Sequence, residues 1–385
     1  MTWLAHSVPF LRGFSMLEMP EANPFHPDKL LLHRAKVAAL ANSTMIAPQT
    51  IEVDLTDGAC NQGCVYCCFS SGEGKKMVRI DRTALLQALR EAYALGTRAV
   101  ELVGGGEPTA HPEIAGIISD IFEIGAGDME VGLITNGLLA ERILSVAPRM
   151  RFVRISLDTA LSATYQVLHK VPARQFDKVL TNIGRLRAEM PQITNARQLG
   201  IGYLVVPPYN HQAEEVMAGA ELAHELNVDY ITYRPVELTD EQPQSYWREA
   251  QQAIRAARKH LHESGSSTVA FGGVGNRWDT LRPGGHPTGI CDAKPLVAVI
   301  QANGDIAHCI LYRNQRAMRI GNIHEGPFTD QWFSEEHQSA WQSRQVDGCP
   351  NPCKLYRYND VVREARTNGT GDAPPYGDVA HHLFV

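Results

Sequence analysis

Cys60-Asn61-Gln62-Gly63-Cys64-Val65-Tyr66-Cys67-Cys68 is the stretch around which the rest of the chain is arranged. Cys60, Cys64 and Cys67 form C-x3-C-x2-C. Three thiolates on one short loop can hold three irons of a [4Fe-4S] cluster. Such clusters normally take four cysteines, so one iron is left open for another ligand. The aromatic Tyr66 directly precedes the third cysteine. The preceding run, 51–56, reads as a strand, which puts the loop at a strand's C-terminal end. A zinc site or a disulfide is the competing use, but zinc sites usually use C-x2-C pairs and supply their own fourth ligand.

Three further segments follow in order, each at the end of a strand-like run: Gly104-Gly105-Gly106-Glu107-Pro108, Thr135-Asn136-Gly137 and Ser156-Leu157-Asp158. Together with the cysteine loop they resemble the radical S-adenosylmethionine (SAM) superfamily. The resemblance implies an α/β fold, a partial (β/α)6 TIM-like barrel, with S-adenosylmethionine on the open iron. Reductive cleavage there yields a 5′-deoxyadenosyl radical that removes a hydrogen atom from a substrate. It implies that Gly105, Gly106, Glu107 and Pro108 lie by the methionine ammonium, with Asn136 by its carboxylate or the ribose. Ser156 and Asp158 then meet the ribose and Tyr66 the adenine, while Tyr233 and Arg234 border adenine or substrate. Plain structural readings stand beside these: Asn136 as a turn residue, Asp158 as a helix cap, Arg234 as half of an ion pair.

Composition bounds the rest. The chain has 385 residues, 44% hydrophobic and 20% charged, with a net charge of −6. That is ordinary globular usage, with no basic excess for nucleic acid and no apolar run near the roughly 20 residues that span a bilayer. No signal peptide is read at the N-terminus. The eight cysteines are grouped rather than spread as a disulfide scaffold, which suggests metal binding in the cytoplasm.

The pattern divides the chain into a lead-in (1–50), an alternating β/α region (51–237), a helix and Gly-rich connector (238–290), a cysteine-bearing segment (291–355) and a polar tail (356–385). Strands are expected at 51–56, 99–103, 130–135, 152–157, 200–206 and 229–234. Crossover helices are expected at 112–124, 138–147, 173–190 and 212–226, with another capped by Asp81. A short helix is read at 29–40 and a long one at 243–263. The lead-in leaves no room for a separate leader-binding domain.

The second metal signal is Cys291-x12-Gly304-x4-Cys309, followed by Cys349 and Cys353. Two β-like runs flank Asn303-Gly304, a strong hairpin turn. The spacing resembles the auxiliary-cluster domain called Twitch, a shortened SPASM domain, and implies a small C-terminal β-hairpin/helix Fe-S domain with one auxiliary [4Fe-4S] cluster. Four thiolates around zinc remain the alternative.

Three cysteines serve the first site and four the second, so Cys68 is left over. It is either a small buried hydrophobe or a hydrogen-atom donor. The layout resembles aminocyclitol and aminoglycoside dehydrogenases and epimerases. It implies a small polar hydroxylated substrate, an alcohol oxidation with the auxiliary cluster as electron acceptor, and a flavodoxin- or ferredoxin-type electron donor. Redox-neutral epimerisation with Cys68 as donor is the second expectation. Peptide or protein modification is the third.

Overall fold

A computed structural model describes residues 24–58, 60–67, 69, 77–190, 198–236, 242–273, 276–281, 291–313, 315–343, 349, 353–371 and 380–385. In chain order, a 3-10 turn (Pro27–His33) runs into α1 (Arg34–Ala41) and then β1 (Thr50–Val53). A small ribbon, β2 (Thr56–Asp57) with β3 (Val78–Arg79), brackets the cysteine loop. There follow α2 (Arg82–Ala94), β4 (Ala99–Leu102), α3 (Ile114–Glu123), β5 (Glu130–Thr135), β6 (Phe152–Ser156), α4 (Ser162–His169) and α5 (Arg174–Glu189). The series continues with β7 (Leu199–Val205), α6 (Ala213–Glu225), β8 (Tyr230–Pro235), α7 (Gln244–Glu263) and β9 (Val269–Phe271). The last elements are β10 (Val297–Ile300), β11 (Asp305–Ala307), β12 (Arg319–Asn322), α8 (Phe328–Trp332), α9 (Glu335–Ser343) and α10 (Tyr356–Asn368).

The main sheet runs β12-β11-β10-β1-β4-β5-β6-β7-β8-β9. From β10 to β9 every pairing is parallel, as expected of strands joined by helical crossovers. All six expected strands are present. Two parallel neighbours were not expected: β9 came from the stretch read as connector, and β10 brings the C-terminal hairpin onto the edge of β1. The hairpin is therefore continuous with the barrel sheet. Its turn needs Gly304, whose φ is +87° and where a Cβ would sit 2.8 Å from the Asn322 side chain.

Period-two alternation sorts the barrel wall. Ile51, Val53, Val100, Leu102, Val153, Ile155, Ile201 and Ile231 join the core under the helices. The alternate positions face the lumen. In most such barrels the lumen is packed with branched apolar residues. Here it receives Glu52, Glu101, Arg154, Gly200, Gly202, Thr232 and Arg234.

Two expected helices differ. Residues 138–147 form no α-helix; two 3-10 turns, Ala140–Ile143 and Ala147–Arg149, replace it, with Pro148 opening the second. Residues 29–40 split into the 3-10 turn after Pro27 and α1. The tail was read as polar, yet it contains α10. Tyr358, Val361, Val362 and Ala365 form a buried stripe at the i, i+3, i+4, i+7 spacing of an amphipathic helix. That stripe packs with Leu30, Val37 and Leu40 in a second core that also takes Val297 and Val299 of β10. The final residues close the N-terminal end of the barrel. Thr50 donates through Oγ1 to the Leu383 carbonyl at 3.0 Å, and Phe384 packs edge-on against Phe152, with ring centres 5.0 Å apart.

Candidate functional site

The cysteine loop leaves β1 and docks on the C-terminal end of α4. The Gly63 and Val65 amides donate to the His169 and Leu168 carbonyls at 3.0 and 2.9 Å. His169 is fully buried; its Nε2 lies 3.2 Å from the Leu157 carbonyl and its Nδ1 lies 3.2 Å from the Cys64 sulfur. Gln62 donates to the Tyr165 hydroxyl at 2.8 Å. Tyr66 donates its hydroxyl to Asp158 Oδ2.

Asp158 holds the left-handed conformation, φ +64°, and its Oδ1 accepts from the Leu204 amide at 2.7 Å. It caps no helix. Instead it binds the cysteine loop to the barrel between β6 and β7. Ser156 ends β6 opposite Gly202.

The Gly104–Pro108 turn crosses the neighbouring strand end. Gly105 pairs with Thr56, and a Cβ there would sit 2.5 Å from the Thr56 carbonyl at a φ of +71°. Gly106 donates its amide to the Gly104 carbonyl at 2.8 Å. Pro108 starts a buried 3-10 turn. The Glu107 carboxylate is buried and accepts from the Thr109 amide at 2.9 Å, the Asn136 amide at 2.8 Å and the Thr135 hydroxyl. Burial raises its pKa against these neutral donors. Asn136 continues the chain of contacts, donating to Asn61 Oδ1 in the cysteine loop at 2.6 Å. Its own Oδ1 caps the Leu138 amide at 3.1 Å. Thus Glu107 and Asn136 knit three strand ends together.

Tyr233 lines the lumen cavity beside Arg234, but strand alternation sends the two side chains opposite ways. Tyr233 turns its side chain away from the lumen: its hydroxyl donates to the Val216 carbonyl of α6 at 2.7 Å, and its ring lies 4.9 Å from that of Tyr203. The lumen side chain is Arg234, one residue on. Cys68 lies outside the described residues.

A cavity of about 380 Å³ occupies the lumen. It begins at Cys64, Tyr66 and Cys67 and reaches Arg154, Arg234 and Arg313, with Phe384 at its far end. Sequence reading missed Asn61, Glu52 and Arg154; His169, which reads as structural or solvated, is buried against the cysteine loop. The signal for Glu52 and Arg154 was a charge inside an otherwise apolar strand.

Within each cysteine set the thiols lie near enough to influence one another's charge, although among the described residues no three His, Cys, Asp or Glu side chains converge tightly enough to hold a single metal ion. Burial pushes the Cys60 thiol up to about 11 and Cys64 higher still, and neighbouring Cys67 adds to both. Cys291 and Cys353 rise to about 11 and about 12, again by burial first, with Cys309 contributing to both and Cys349 to Cys291. None of the seven described cysteines forms a disulfide. Neighbouring, mostly half-buried thiols that repel as thiolates are what an iron–sulfur cluster's positive irons relieve, so both sets fit such a group. Trp341 Nε1 donates to the Cys291 carbonyl at 3.0 Å, and Asn359 supports the adjoining Ala293 amide at 2.8 Å.

The second set is fastened to β1. Arg313 and Lys354 each follow one of its cysteines closely. Both pair with Glu52, and Arg313 reaches Asp54 at 2.6 Å. Burial alone would raise Glu52, but Lys354 and Arg313 hold it near 2. Burial lifts Asp54 to about 7 despite Arg313.

The Radical SAM superfamily model matches residues 57–220, and the SPASM iron–sulfur cluster-binding domain model matches residues 291–355. The chain thus carries a radical SAM domain followed by a SPASM/Twitch-type iron–sulfur domain. Its cofactors follow: a [4Fe-4S] cluster, S-adenosylmethionine and an auxiliary iron–sulfur cluster.

The chain is 27% identical over 199 residues to a GTP 3′,8-cyclase of Microcystis aeruginosa, a match covering 48% of this chain and 56% of that protein. It is 27% identical over 154 residues to a probable GTP 3′,8-cyclase of Sulfolobus acidocaldarius, covering 40% and 44%. The chain thus spans about half the length of the curated relatives it matches. Among solved structures, Streptococcus suis SuiB bound to S-adenosylmethionine superposes with a TM-score of 0.60 at 16% identity, over 77% of this chain and 68% of that one. Native anSMEcpe with bound AdoMet gives 0.56 at 13% identity, over 86% and 94%. These two likenesses concern the fold. Among the described residues, no helix is long and apolar enough to cross a membrane.

Proposed function

We propose that this enzyme abstracts a hydrogen atom from a small, polar, hydroxylated molecule of the sugar or aminocyclitol type and oxidises an alcohol carbon. The observation that carries this reading is the lumen cavity of about 380 Å³, within the range of small-molecule sites, which opens onto Cys64, Tyr66 and Cys67 and sets Glu52, Glu101, Arg154, Arg234 and Arg313 into a mostly apolar lining. The curated relatives are named for a small polar substrate, GTP.

Cys60, Cys64 and Cys67 would hold the first cluster, and Cys291, Cys309, Cys349 and Cys353 the second. When bound, the first cluster with S-adenosylmethionine supplies the hydrogen-abstracting radical, and the second cluster supplies an acceptor for the electron that remains. The protein's part is to hold the reactants and exclude water. Glu107, Asn136 and Asp158 keep the strand ends in register under the methionine and ribose, Tyr66 stands beside adenine, and Arg234 faces the substrate. Of the carboxylates that line the cavity, Glu52 is held by Arg313 and Lys354, which leaves Glu101 as the one placed to take the hydroxyl proton. A cytoplasmic flavodoxin- or ferredoxin-type protein would deliver the electron.

Iron counting tests the reading. Anaerobic reconstitution should give about eight irons per chain, falling to about four in the Cys60/Cys64/Cys67→Ala variant. Zinc in the C-terminal set, with about four irons in the parent, would remove the electron acceptor and with it the oxidation. Redox-neutral epimerisation through Cys68 would then be the reading to pursue.

A further inference from the structure

The lumen gathers more cationic side chains, Lys29, Arg154, Arg234, Arg277, Arg313 and Lys354, than carboxylate side chains, Glu52 and Glu101. Glu52 is engaged by Arg313 and Lys354, and Glu101 lies 3.7 Å from Lys354. Arg154 comes no closer than 3.9 Å to Glu101. Its side chain is 8% exposed, and its Nε is buried without a hydrogen-bond partner among the described residues. The Arg234 Nε is in the same condition.

The two side chains are brought together by the strands between them. Arg154 on β6 lies beside Gly200 of β7, and Arg234 on β8 beside Leu204. Gly202 sits beneath both: a Cβ there would meet Arg234 Nη2 at 3.2 Å and Arg154 Cδ at 3.6 Å. A side chain at 202 would fill the space between the Arg234 guanidinium and the Arg154 stem. Arg277 faces the same cavity and repels Arg234. Burying like charges side by side is costly unless something of opposite charge completes the set. A guanidinium's planar fork suits the paired oxygens of a phosphate or carboxylate.

We infer that the substrate bears an acidic group, a phosphate or a carboxylate, which Arg154 and Arg234 grip in the lumen beyond the cysteine loop. This rests on the reading of the lumen as the substrate site and narrows it: the molecule is hydroxylated and anionic. The grip leaves the hydroxylated part of the substrate facing the end of the cavity where Cys64, Tyr66 and Cys67 lie.

The test is calorimetric titration of the reconstituted holoenzyme, with S-adenosylmethionine present, using inorganic phosphate and acetate as probes at low ionic strength. One probe should bind the parent, weaken by roughly tenfold or more in Arg154→Gln and in Arg234→Gln, and vanish in the double variant. Arg154→Lys and Arg234→Lys keep the charge and should lose less, which separates loss of the grip from loss of folding. Phosphate binding well above acetate indicates a phosphorylated substrate; acetate at parity or better indicates a carboxylate. Absence of binding to the parent, or undiminished binding to the double variant, overturns the inference. So does an equal loss of S-adenosylmethionine affinity in the same variants, since the pair would then serve the cofactor's own carboxylate. Failure of the functional reading looks different: the anion binds as expected, but no hydroxylated acid stimulates formation of 5′-deoxyadenosine.

Discussion

Asp158 shows how a single residue can carry a site's geometry. Its left-handed backbone lets one carboxylate face both Tyr66 and the Leu204 amide, with His169 Nε2 3.7 Å away. Removing the Tyr66 hydroxyl leaves a buried acceptor oxygen unsatisfied. Tyr66→Phe should therefore destabilise the loop by about 1–3 kcal/mol, seen as faster loss of the first cluster's iron to a chelator. An unchanged rate would mean that the hydroxyl does not hold the loop. The residues whose roles were readable in advance are those whose chemistry is rare at any other place: Cys60, Cys64 and Cys67, and Gly105 with its positive φ. His169 and Asn61 were not readable, because each is defined by a neighbour 105 or 75 positions away.

At the scale of elements, β1 joins the two cysteine sets. Its C-terminal end feeds Cys60, and its lumen-facing Glu52 receives Arg313 and Lys354 from the second set. Glu52→Gln leaves Arg313 with Asp54 alone and Lys354 with only the more distant Glu101, and breaking such a network costs about 3–5 kcal/mol. Iron should fall selectively, from about eight per chain toward about four, through loss of the auxiliary cluster. Equal loss from both sites would show that Glu52 supports the barrel as a whole. The pairing of β10 with β1 makes this coupling possible, and hairpin spacing alone could not reveal it. Strand spacing and apolar runs did give the six barrel strands. They missed β9 because three residues, Val269–Phe271, are too few to show a period, and α4 because its eight residues lie close behind the Ser156–Asp158 motif.

On the scale of the whole molecule, the barrel's lower end and its acid sensitivity both depend on distant segments. Phe384 packs against Phe152 and the edge of Gly132. Phe384→Ala should cost about 3–5 kcal/mol in denaturant melts of the holoenzyme. Retained stability would mean that the final residues do not plug the barrel.

Buried histidines set the pH limit. His337 Nδ1 bonds the Trp332 carbonyl at 2.7 Å, while its Nε2 is buried without a partner. Burial lowers His337 and His33 from 6.5 to about 4. Their folded pKa values lie below the unfolded ones, so the folded state binds these protons less tightly. Their contribution to stability is complete above pH 6.5 and is lost as pH falls toward about 4. His337→Gln should lose part of the difference in melting temperature between about pH 7.5 and about pH 5.5; an identical acid slope in the variant would exclude His337 as a source.

The sequence by itself determined the class of chemistry and the order of the barrel. Cysteine spacing, glycines where backbones cross, and period-two strands are local constraints, and local constraints are written in neighbouring letters. Only the tertiary structure decided what lies inside the barrel. Whether Arg154 and Arg234 are surface ion-pair partners or a pair lining the lumen depends on which strands stand side by side and on Gly202 leaving room between them. It also decided that α10 and the last residues belong to the core, and that the second cysteine set hangs on β1. Those contacts join segments up to hundreds of residues apart, and their energy comes from burial that the linear order does not express.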